Sequence, residues 1–253
     1  MTLSCQKYVG SEMLIFAIIA ELAVVQSLFG IGLLVFGTPT LLLLGFPYQD
    51  ALAALLPASL AVSGLQLRAV PKLDRTFAPQ FAFFCLLPLA TTMVLVSQFH
   101  WKASLNLVVA IVLSGFVVLR ASPDLEERVA LRLRKHQRSW LVLMGIIHGL
   151  SNLGGSMLTI LANSLHREKD QVRSVIVHCY VCFALVQLTI LGLTAPGFFS
   201  WNQLGYAATS AGVFLLIGQQ VFAWVSAPGF RRLFTGFMAS YAGLLGLRVV
   251  GIL

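Results

Sequence analysis

The residues best suited to bind a ligand stand together near the middle of the chain, where residues 149–156 read GLSNLGGS. Glycines and hydrogen-bonding side chains interrupt an otherwise apolar segment there, which predicts a break in a membrane-buried helix. The half-helix after such a break begins with unpaired N–H groups and a partial positive charge. That helix end can bind a small anion without a buried lysine. The residues expected to bind the anion at this break are Ser151, Asn152, Gly154, Gly155, Ser156 and Thr159.

A second glycine-rich stretch lies in the first half of the chain, where residues 30–39 read GIGLLVFGTP. This stretch has fewer polar groups. Two broken segments that meet near the midplane of a membrane would form one site between them. The alternative for both stretches is tight helix packing through small residues, which is common in membranes. The candidate binding residues of this second stretch are Gly30, Gly32, Thr38 and Pro39.

Three titratable side chains lie where they could carry a coupling proton. Glu21 is the only acid well inside an apolar segment, His148 immediately precedes the stretch 149–156, and His178 lies early in the next apolar segment. A buried acid is costly and often belongs to a proton relay, and histidine titrates near neutral pH. Glu21 could instead lie near the membrane surface, and either histidine could instead be a structural hydrogen-bond partner.

Further polar residues inside apolar segments could line a path for a polar solute or bridge neighbouring helices. Gln66 and Gln187 occupy similar places in the two halves, and Gln219 and Gln220 add two more amides. Arg173 begins a segment beside the second break, where it could attract an anion or only orient the chain in the membrane.

The four cysteines do not predict a disulfide framework, because Cys85, Cys179 and Cys182 lie inside predicted spans. The C-x-x-C spacing of Cys179 and Cys182 favours two small packing residues one helical turn apart over a redox or metal role. No second cysteine pair stands near them in the sequence to complete a zinc site, so we predict no metal site.

The composition identifies the chain as an integral membrane protein. Its 253 residues are 58% hydrophobic and 10% charged, with a mean hydropathy of +0.89, whereas a soluble domain needs far more charge on its surface. The uncharged stretches 22–49 and 174–230 have room for spans of about 20 residues each. The formal net charge of +8 does not indicate nucleic acid, because the basic residues lie in short loops between spans.

The two halves of the chain resemble each other in a single register. Residues 27–40 align with residues 149–162 without a gap, so that Gly32 meets Gly154. We predict an all-α polytopic membrane protein with two inverted repeats and about eight transmembrane segments. The predicted units are a first repeat, 1–120, with the broken segment 13–47 and the spans 50–68, 77–98 and 103–120; a basic loop, 121–138; and a second repeat, 139–253, with the broken segment 139–165 and the spans 171–193, 202–225 and 232–251.

Lysines and arginines test whether each broken segment crosses the membrane or turns back. If both turn back, all the basic residues except Lys7, Lys102 and Arg248 fall on one side, which the positive-inside rule makes cytoplasmic. The halves are then inverted repeats in the inner membrane, with residues 120–138 in the cytoplasm and both termini in the periplasm. If both cross, the halves are parallel repeats. The basic residues at 128–138 could also bind anionic lipid head groups.

Around both glycine-rich stretches the sequence resembles the sulfite exporter TauE/SafE family, also called the toluene sulfonate uptake permease family. The family pattern is a glycine-rich break, a leucine-rich run and an alanine- and serine-rich span, all duplicated; residues 29–60 carry the first copy and residues 149–165 the second. The resemblance implies transport of small anions, often sulfur-containing, such as sulfite, sulfonates and sulfoacetate, without a cofactor. The positions that match the family pattern are Gly30, Gly32, Thr38, Pro39, Asn152, Gly154, Gly155 and Ser156.

The leading hypothesis is a secondary carrier of a small anion that works by alternating access around the two breaks. A membrane potential that is negative inside opposes anion uptake by about 2.3 kcal/mol per charge per 100 mV, so uptake would need a coupled cation such as a proton. The alternatives are an anion channel and an intramembrane enzyme, although H-E-x-x-H and G-x-S-x-G motifs are both missing. The expected partners are the anion, a coupling proton, anionic lipids and a second copy in a homodimer, but not nucleic acid.

Overall fold

The computed structural model describes residues 2–98, 105–166, 168–195 and 197–218, together with a few isolated positions after residue 219. Helices and short turns make up this part of the chain, and no strand occurs within it. Most of the predicted span 232–251, most of the end of the predicted span 202–225 and Gln219 lie outside the described residues.

Three helices in the described part are long and apolar enough to cross a membrane, at Glu12–Phe29, Phe77–Val96 and Lys169–Thr194. Large apolar side chains also point outward, including Leu193 and Leu216, as expected where lipid rather than water surrounds a helix. The prediction of an all-helical membrane protein is therefore confirmed.

The first half contains two helices separated by glycines, followed by three further helical segments. The second of these segments is interrupted by one π-helical turn. In chain order the helices are α1 (Thr2–Phe29), α2 (Leu33–Leu43), α3 (Tyr48–Gln66), α4 (Phe77–Phe81) with the π-helical turn Ala82–Leu86, α5 (Leu87–Gln98) and α6 (Leu105–Ala121).

The part of the chain after the first repeat begins with a polar helix, Pro123–Lys135, within the segment 121–138 that was predicted as a basic loop. Pro123 stands at its first turn, where the missing N–H costs nothing, and the acidic residues precede the basic ones, as the helix dipole favours. The helices of this part are α7 (Pro123–Lys135), α8 (Gln137–Ser151), α9 (Gly154–Leu165), α10 (Lys169–Thr194) and α11 (Trp201–Val213), which continues into the π-helical turn Phe214–Gly218.

Helix α2 folds back along α1 instead of continuing its line. Its 11 residues extend about 16 Å, which is roughly half the thickness of the hydrocarbon layer. A β-carbon built on Gly37 would lie 3.1 Å from a side-chain carbon of Leu22. In one straight helix these two residues would be about 22 Å apart, so the chain turns back between them.

Helix α9 folds back along α8 in the same way. The indole N–H of Trp140 donates to the carbonyl oxygen of Met157 at 3.3 Å, although 17 residues of straight helix would separate them by about 25 Å. Both broken segments of the chain are therefore helical hairpins. Helices α2, α8 and α9, with 11, 15 and 12 residues, are each shorter than the roughly 20 residues that a full span needs.

Two glycines of α8 allow this helix to pack closely against its neighbours. Gly145 and Gly149 lie one turn apart, and α8 packs against α5 and the preceding π-helical turn. A β-carbon on Gly145 would overlap the carbonyl oxygen of Cys85, and one on Gly149 would lie 2.9 Å from the carbonyl oxygen of Leu89. Small residues at this spacing let two helix backbones approach closely, which is how helices associate in lipid.

Helices α3 and α10 pack against each other in the centre of the molecule. Each turns a polar face inward, because apolar lipid cannot satisfy hydrogen-bonding groups. On α10, residues Arg173, Tyr180 and Gln187 recur every seven residues and so lie on one side of the helix. The inward polar residues of α3 are Ser59, Ser63 and Gln66, all fully buried.

Candidate functional site

The first break occupies the three residues between α1 and α2. Gly30 adopts φ +71, a left-handed conformation that glycine accepts without strain, and its N–H donates to the Gln26 carbonyl oxygen at 2.8 Å. This bond closes the end of α1. The Gln26 side-chain oxygen then accepts the N–H of Leu33 at 3.2 Å, and so caps the first turn of α2.

Helix α3 holds this cap in place. The side-chain nitrogen of Gln26 lies 3.0 Å from the carbonyl and hydroxyl oxygens of Ser59 and from the hydroxyl oxygen of Ser63, and these three acceptors share its two protons. Gln66 donates from its side chain to the carbonyl oxygens of Gln26 at 3.0 Å and of Ser27 at 3.3 Å. The side chains of Gln26 and Gln66 thus satisfy backbone groups at the end of α1 and the start of α2.

The second break follows α8. Asn152 adopts φ 63, a left-handed conformation that asparagine tolerates better than most residues, and its N–H donates to the His148 carbonyl oxygen at 2.9 Å. The N–H of Gly154 donates to Nδ1 of His148 at 3.1 Å. His148 thus caps α9 as Gln26 caps α2.

The cap fixes the tautomer of His148. Because Nδ1 accepts a hydrogen bond from Gly154, the proton of the neutral ring lies on Nε2. Nε2 donates to the side-chain oxygen of Gln187 at 3.2 Å, and the imidazole stacks on Phe183 with ring centroids 4.0 Å apart. A second proton on His148 would remove the acceptor that holds the start of α9.

The two breaks meet at Asn152. Its side-chain nitrogen donates to the Thr38 hydroxyl oxygen in α2 at 2.9 Å, across 114 residues of sequence, and its side-chain oxygen accepts from Gln187 at 3.3 Å. All of these side chains are fully buried. One network therefore joins the turn before α9, the middle of α2 and the inward face of α10.

The geometry of the two breaks corresponds in the register that aligns Gly32 with Gly154. In that register Gly30 aligns with Asn152, and both have positive φ. Gln26 aligns with His148, and each accepts a backbone N–H from the start of the following half-helix. Equivalent positions of the two halves thus have the same backbone conformation and the same capping role with different side chains.

Several predicted binding residues lie at the breaks but use their hydroxyl protons elsewhere. Ser151 donates to the Ile147 carbonyl oxygen at 2.8 Å, and Thr159 donates to the Gly155 carbonyl oxygen at 2.8 Å. Such bonds within one helix leave only oxygen lone pairs for a ligand. Ser156 and Pro39 are also buried, in the first turn of α9 and in α2 respectively.

Arg173 lies at the first break, where its Nη2 donates to the Ser27 carbonyl oxygen at 3.1 Å. Ile176, one turn further along α10, lies beside Gly30, whose added β-carbon would be 3.0 Å from its side chain. Helix α10 therefore passes both breaks, with Arg173 at the first and Gln187 at the second.

Three other predicted residues lie outside the network. Glu21 is exposed on α1, and Gln220 is also exposed. The Nδ1 of His178 hydrogen-bonds the Ser174 carbonyl oxygen of its own helix at 2.8 Å. Of the three candidate coupling residues, His148 is the one that lies at the breaks.

Two residues at the site, Gln26 and Tyr180, were not predicted from the sequence. Gln26 could have been found from its register, because it aligns with His148. The Tyr180 hydroxyl lies directly against Gly155, where a β-carbon would overlap it. The seven-residue spacing from Arg173 to Tyr180 to Gln187 is the signal that could have indicated it. Within the described residues, histidine, cysteine and acidic side chains form no group of three that could bind a metal.

These features define a polytopic helical membrane protein in which two half-helices, α2 and α9, fold back and meet in the interior. Membrane transporters use this arrangement. The family model for the sulfite exporter TauE/SafE family matches residues 13–245, and the chain belongs to that family. The predicted family, and with it a transport role in the membrane, is confirmed. No curated protein and no solved structure matched the chain.

Proposed function

We propose that this protein is a secondary carrier that moves a small sulfur-containing anion, such as sulfite or a sulfonate, across the inner membrane by alternating access around the two breaks. The observation that carries the proposal is the hydrogen bond from Asn152 to Thr38, which joins the two broken segments in the buried interior. Family membership supports a sulfur-containing anion as the substrate.

The electrostatics of the interior favour an anion. Helices α2 and α9 both begin at buried breaks, and each start carries a partial positive charge. Arg173 adds a buried cation beside the first break, and among the described residues no carboxylate is buried. A small oxyanion would therefore meet donors and positive potential there, and the carboxylate that interacts with Arg173, Asp170, is exposed one turn away.

The hairpin shape of both broken segments supports the inverted arrangement of the two halves. If α2 and α9 return to the side from which α1 and α8 entered, the basic residues gather on one side, which the positive-inside rule makes cytoplasmic. We propose that residues 120–138 face the cytoplasm and both termini the periplasm. The inside-negative potential then drives anion export, and uptake requires a coupled proton, for which His148 is the residue inside the network.

Helix α7 and the start of α8 form a proposed binding site for anionic lipid on the cytoplasmic side. A cavity of about 400 Å³ is lined by Lys135 and Arg138 together with polar side chains such as Gln80 and Ser139. Its position next to an amphipathic helix supports the binding of a phosphate head group at the membrane surface. A second copy of the chain in a homodimer is a further proposed partner.

The proposal is tested by flux into proteoliposomes of the purified protein, with sulfite, sulfate, sulfoacetate, acetate and a neutral solute as the panel. The buffer is Tris, because HEPES and MES are themselves sulfonates. Oxygen is excluded because it oxidises sulfite. We expect saturable flux of one anion class that responds to the membrane potential. Flux of none of these anions by folded protein would refute the proposal, and flux that does not saturate would indicate a channel.

Thr38→Val and Thr40→Val form a matched pair on α2. Thr38→Val leaves the amide N–H of Asn152 without its acceptor, whereas the Thr40 hydroxyl bonds the Phe36 carbonyl oxygen of its own helix. We expect Thr38→Val to lower flux about 10-fold, since one buried hydrogen bond is worth about 1 kcal/mol or more. Thr40→Val should retain nearly all flux. Equal flux from the two variants would show that transport does not need the bond between the breaks.

A further inference from the structure

The hydroxyl group of Tyr180 is buried without a hydrogen-bond partner in the part of the chain that the structure describes. Folded proteins avoid this arrangement, because a hydroxyl that leaves water without gaining a partner destabilises the fold. The position of the Tyr180 hydroxyl indicates why the protein keeps such a group in its interior.

The aromatic ring of Tyr180 is held in place from one side of α10. It meets Phe183 edge to face, with ring centroids 6.1 Å apart, and Phe183 in turn stacks on His148. This aromatic row is anchored at its far end, because His148 also caps α9 through Gly154. The direction of the Tyr180 hydroxyl is therefore fixed by packing.

That direction leads to the first turn of α9. A β-carbon on Gly155 would overlap the Tyr180 hydroxyl and would lie 2.8 Å from a methyl group of Val35, in the first turn of α2. The hydroxyl thus stands between the first turns of both half-helices, where the N–H groups without intrahelical acceptors are found. The buried hydroxyl of Tyr180 and a residue without a side chain, Gly155, therefore lie next to each other at the start of α9.

We propose that the Tyr180 hydroxyl donates a hydrogen bond to an oxygen of the transported anion while that anion is held at the start of α9. This inference rests on the proposed function and adds to it a named side-chain donor. Asn152 and Gln187 are engaged with each other and with their neighbours, whereas an oxyanion would give Tyr180 the acceptor that it lacks. Gly155 is glycine because any side chain there would displace the hydroxyl.

The test compares Tyr180→Phe with Tyr48→Phe. Both substitutions remove only a hydroxyl that is buried without a partner among the described residues, but Tyr48 lies in the first turn of α3, about 16 Å along that helix from Ser59. The affinities of the full-length protein in detergent for sulfite, sulfoacetate and sulfate are measured by titration calorimetry, and the unfolding temperature is measured without anion.

We expect Tyr180→Phe to weaken binding of the preferred anion about 10- to 100-fold, the usual value of a hydrogen bond to a charged group. Its unfolding temperature without anion should equal or exceed that of the wild type, because no bond within the protein is lost. Tyr48→Phe should bind as the wild type does.

Wild-type affinity in Tyr180→Phe would overturn the inference while leaving the proposed function intact. A lower unfolding temperature of unliganded Tyr180→Phe would also overturn it, since the hydroxyl would then have a structural partner. If the wild type bound none of the three anions, the proposed function would fail and this inference with it.

Discussion

Alanine in place of Gly32 is expected to destabilise the protein by about 3 kcal/mol, the upper range for overpacking at a rigid site. The added β-carbon would lie 2.6 Å from the backbone nitrogen of Gln26 and 3.1 Å from the carbonyl oxygen of Leu22. Both neighbours belong to the backbone of α1, which cannot rotate aside as a side chain can. Helix α2 would have to separate from α1, and the cap on Leu33 would be lost with it.

Gly64→Ala is the matched control for this substitution. Gly64 lies in α3, and a β-carbon there would have no atom within 4 Å. Alanine inside a helix is more favourable than glycine by about 0.5–1 kcal/mol, so Gly64→Ala should be neutral or stabilising. Unfolding of the purified proteins in mixed detergent micelles with increasing SDS compares the two. A Gly32→Ala protein as stable as the wild type would contradict the close packing of α2 on α1.

Loss of the Asn152 side chain is expected to lower anion flux about 10- to 100-fold, because two buried hydrogen bonds of the network disappear together. Thr38 and Gln187 would remain buried without that partner. Two substitutions separate this effect from backbone strain. Asn152→Gly keeps the left-handed conformation at φ 63 without cost, whereas Asn152→Ala pays about 1 kcal/mol of strain in addition.

Both variants should therefore lose flux, but Asn152→Ala should unfold at a lower temperature than Asn152→Gly. Asn202→Ala is the control, since Asn202 is exposed on α11 and its side chain bonds only Glu12 among the described residues. Flux at the wild-type level in Asn152→Gly would mean that the network serves folding alone and that the anion passes elsewhere.

The positions of both breaks could be predicted from the sequence, because glycine and asparagine are the residues that accept positive φ. The stretches 30–39 and 149–156 contain the observed turns at Gly30 and Asn152. The fold-back of α2 and α9 was predicted only indirectly, from the distribution of basic residues. The fold-back of α2 depends on close contacts, of Gly32 with the backbone of α1 and of Gly37 with Leu22 and Leu55, and the distribution of charges does not encode such contacts.

The partners of the polar side chains could not be predicted in the same way. Gln26 bonds Ser59 and Ser63, which are 33 and 37 residues away, and a single amide in an apolar run says nothing about which helix it will face. Tyr180 was missed because tyrosine is also a common packing residue, and only the tertiary contact with Gly155 distinguishes it.

The buried face of α1 was also poorly determined by the sequence. Glu21 lies well inside an apolar segment, yet its side chain is exposed on α1 rather than turned toward the breaks. The periodicity of α1 gives little help, because its apolar residues surround the helix on all sides. Which face of such a helix is buried is decided by its neighbours and not by its own pattern.

The two caps give the halves of the molecule different sensitivity to acid. Gln26 is an amide that takes up no proton in the physiological range, so the start of α2 keeps its acceptor at any working pH. His148 would lose the bond to Gly154 if its ring took up a second proton. Only strong acid is therefore expected to loosen the start of α9, while the start of α2 stays unchanged. The loss of flux at low pH should be smaller in the His148→Gln variant, whose amide resembles the cap of the other half, and flux measured as a function of pH checks this.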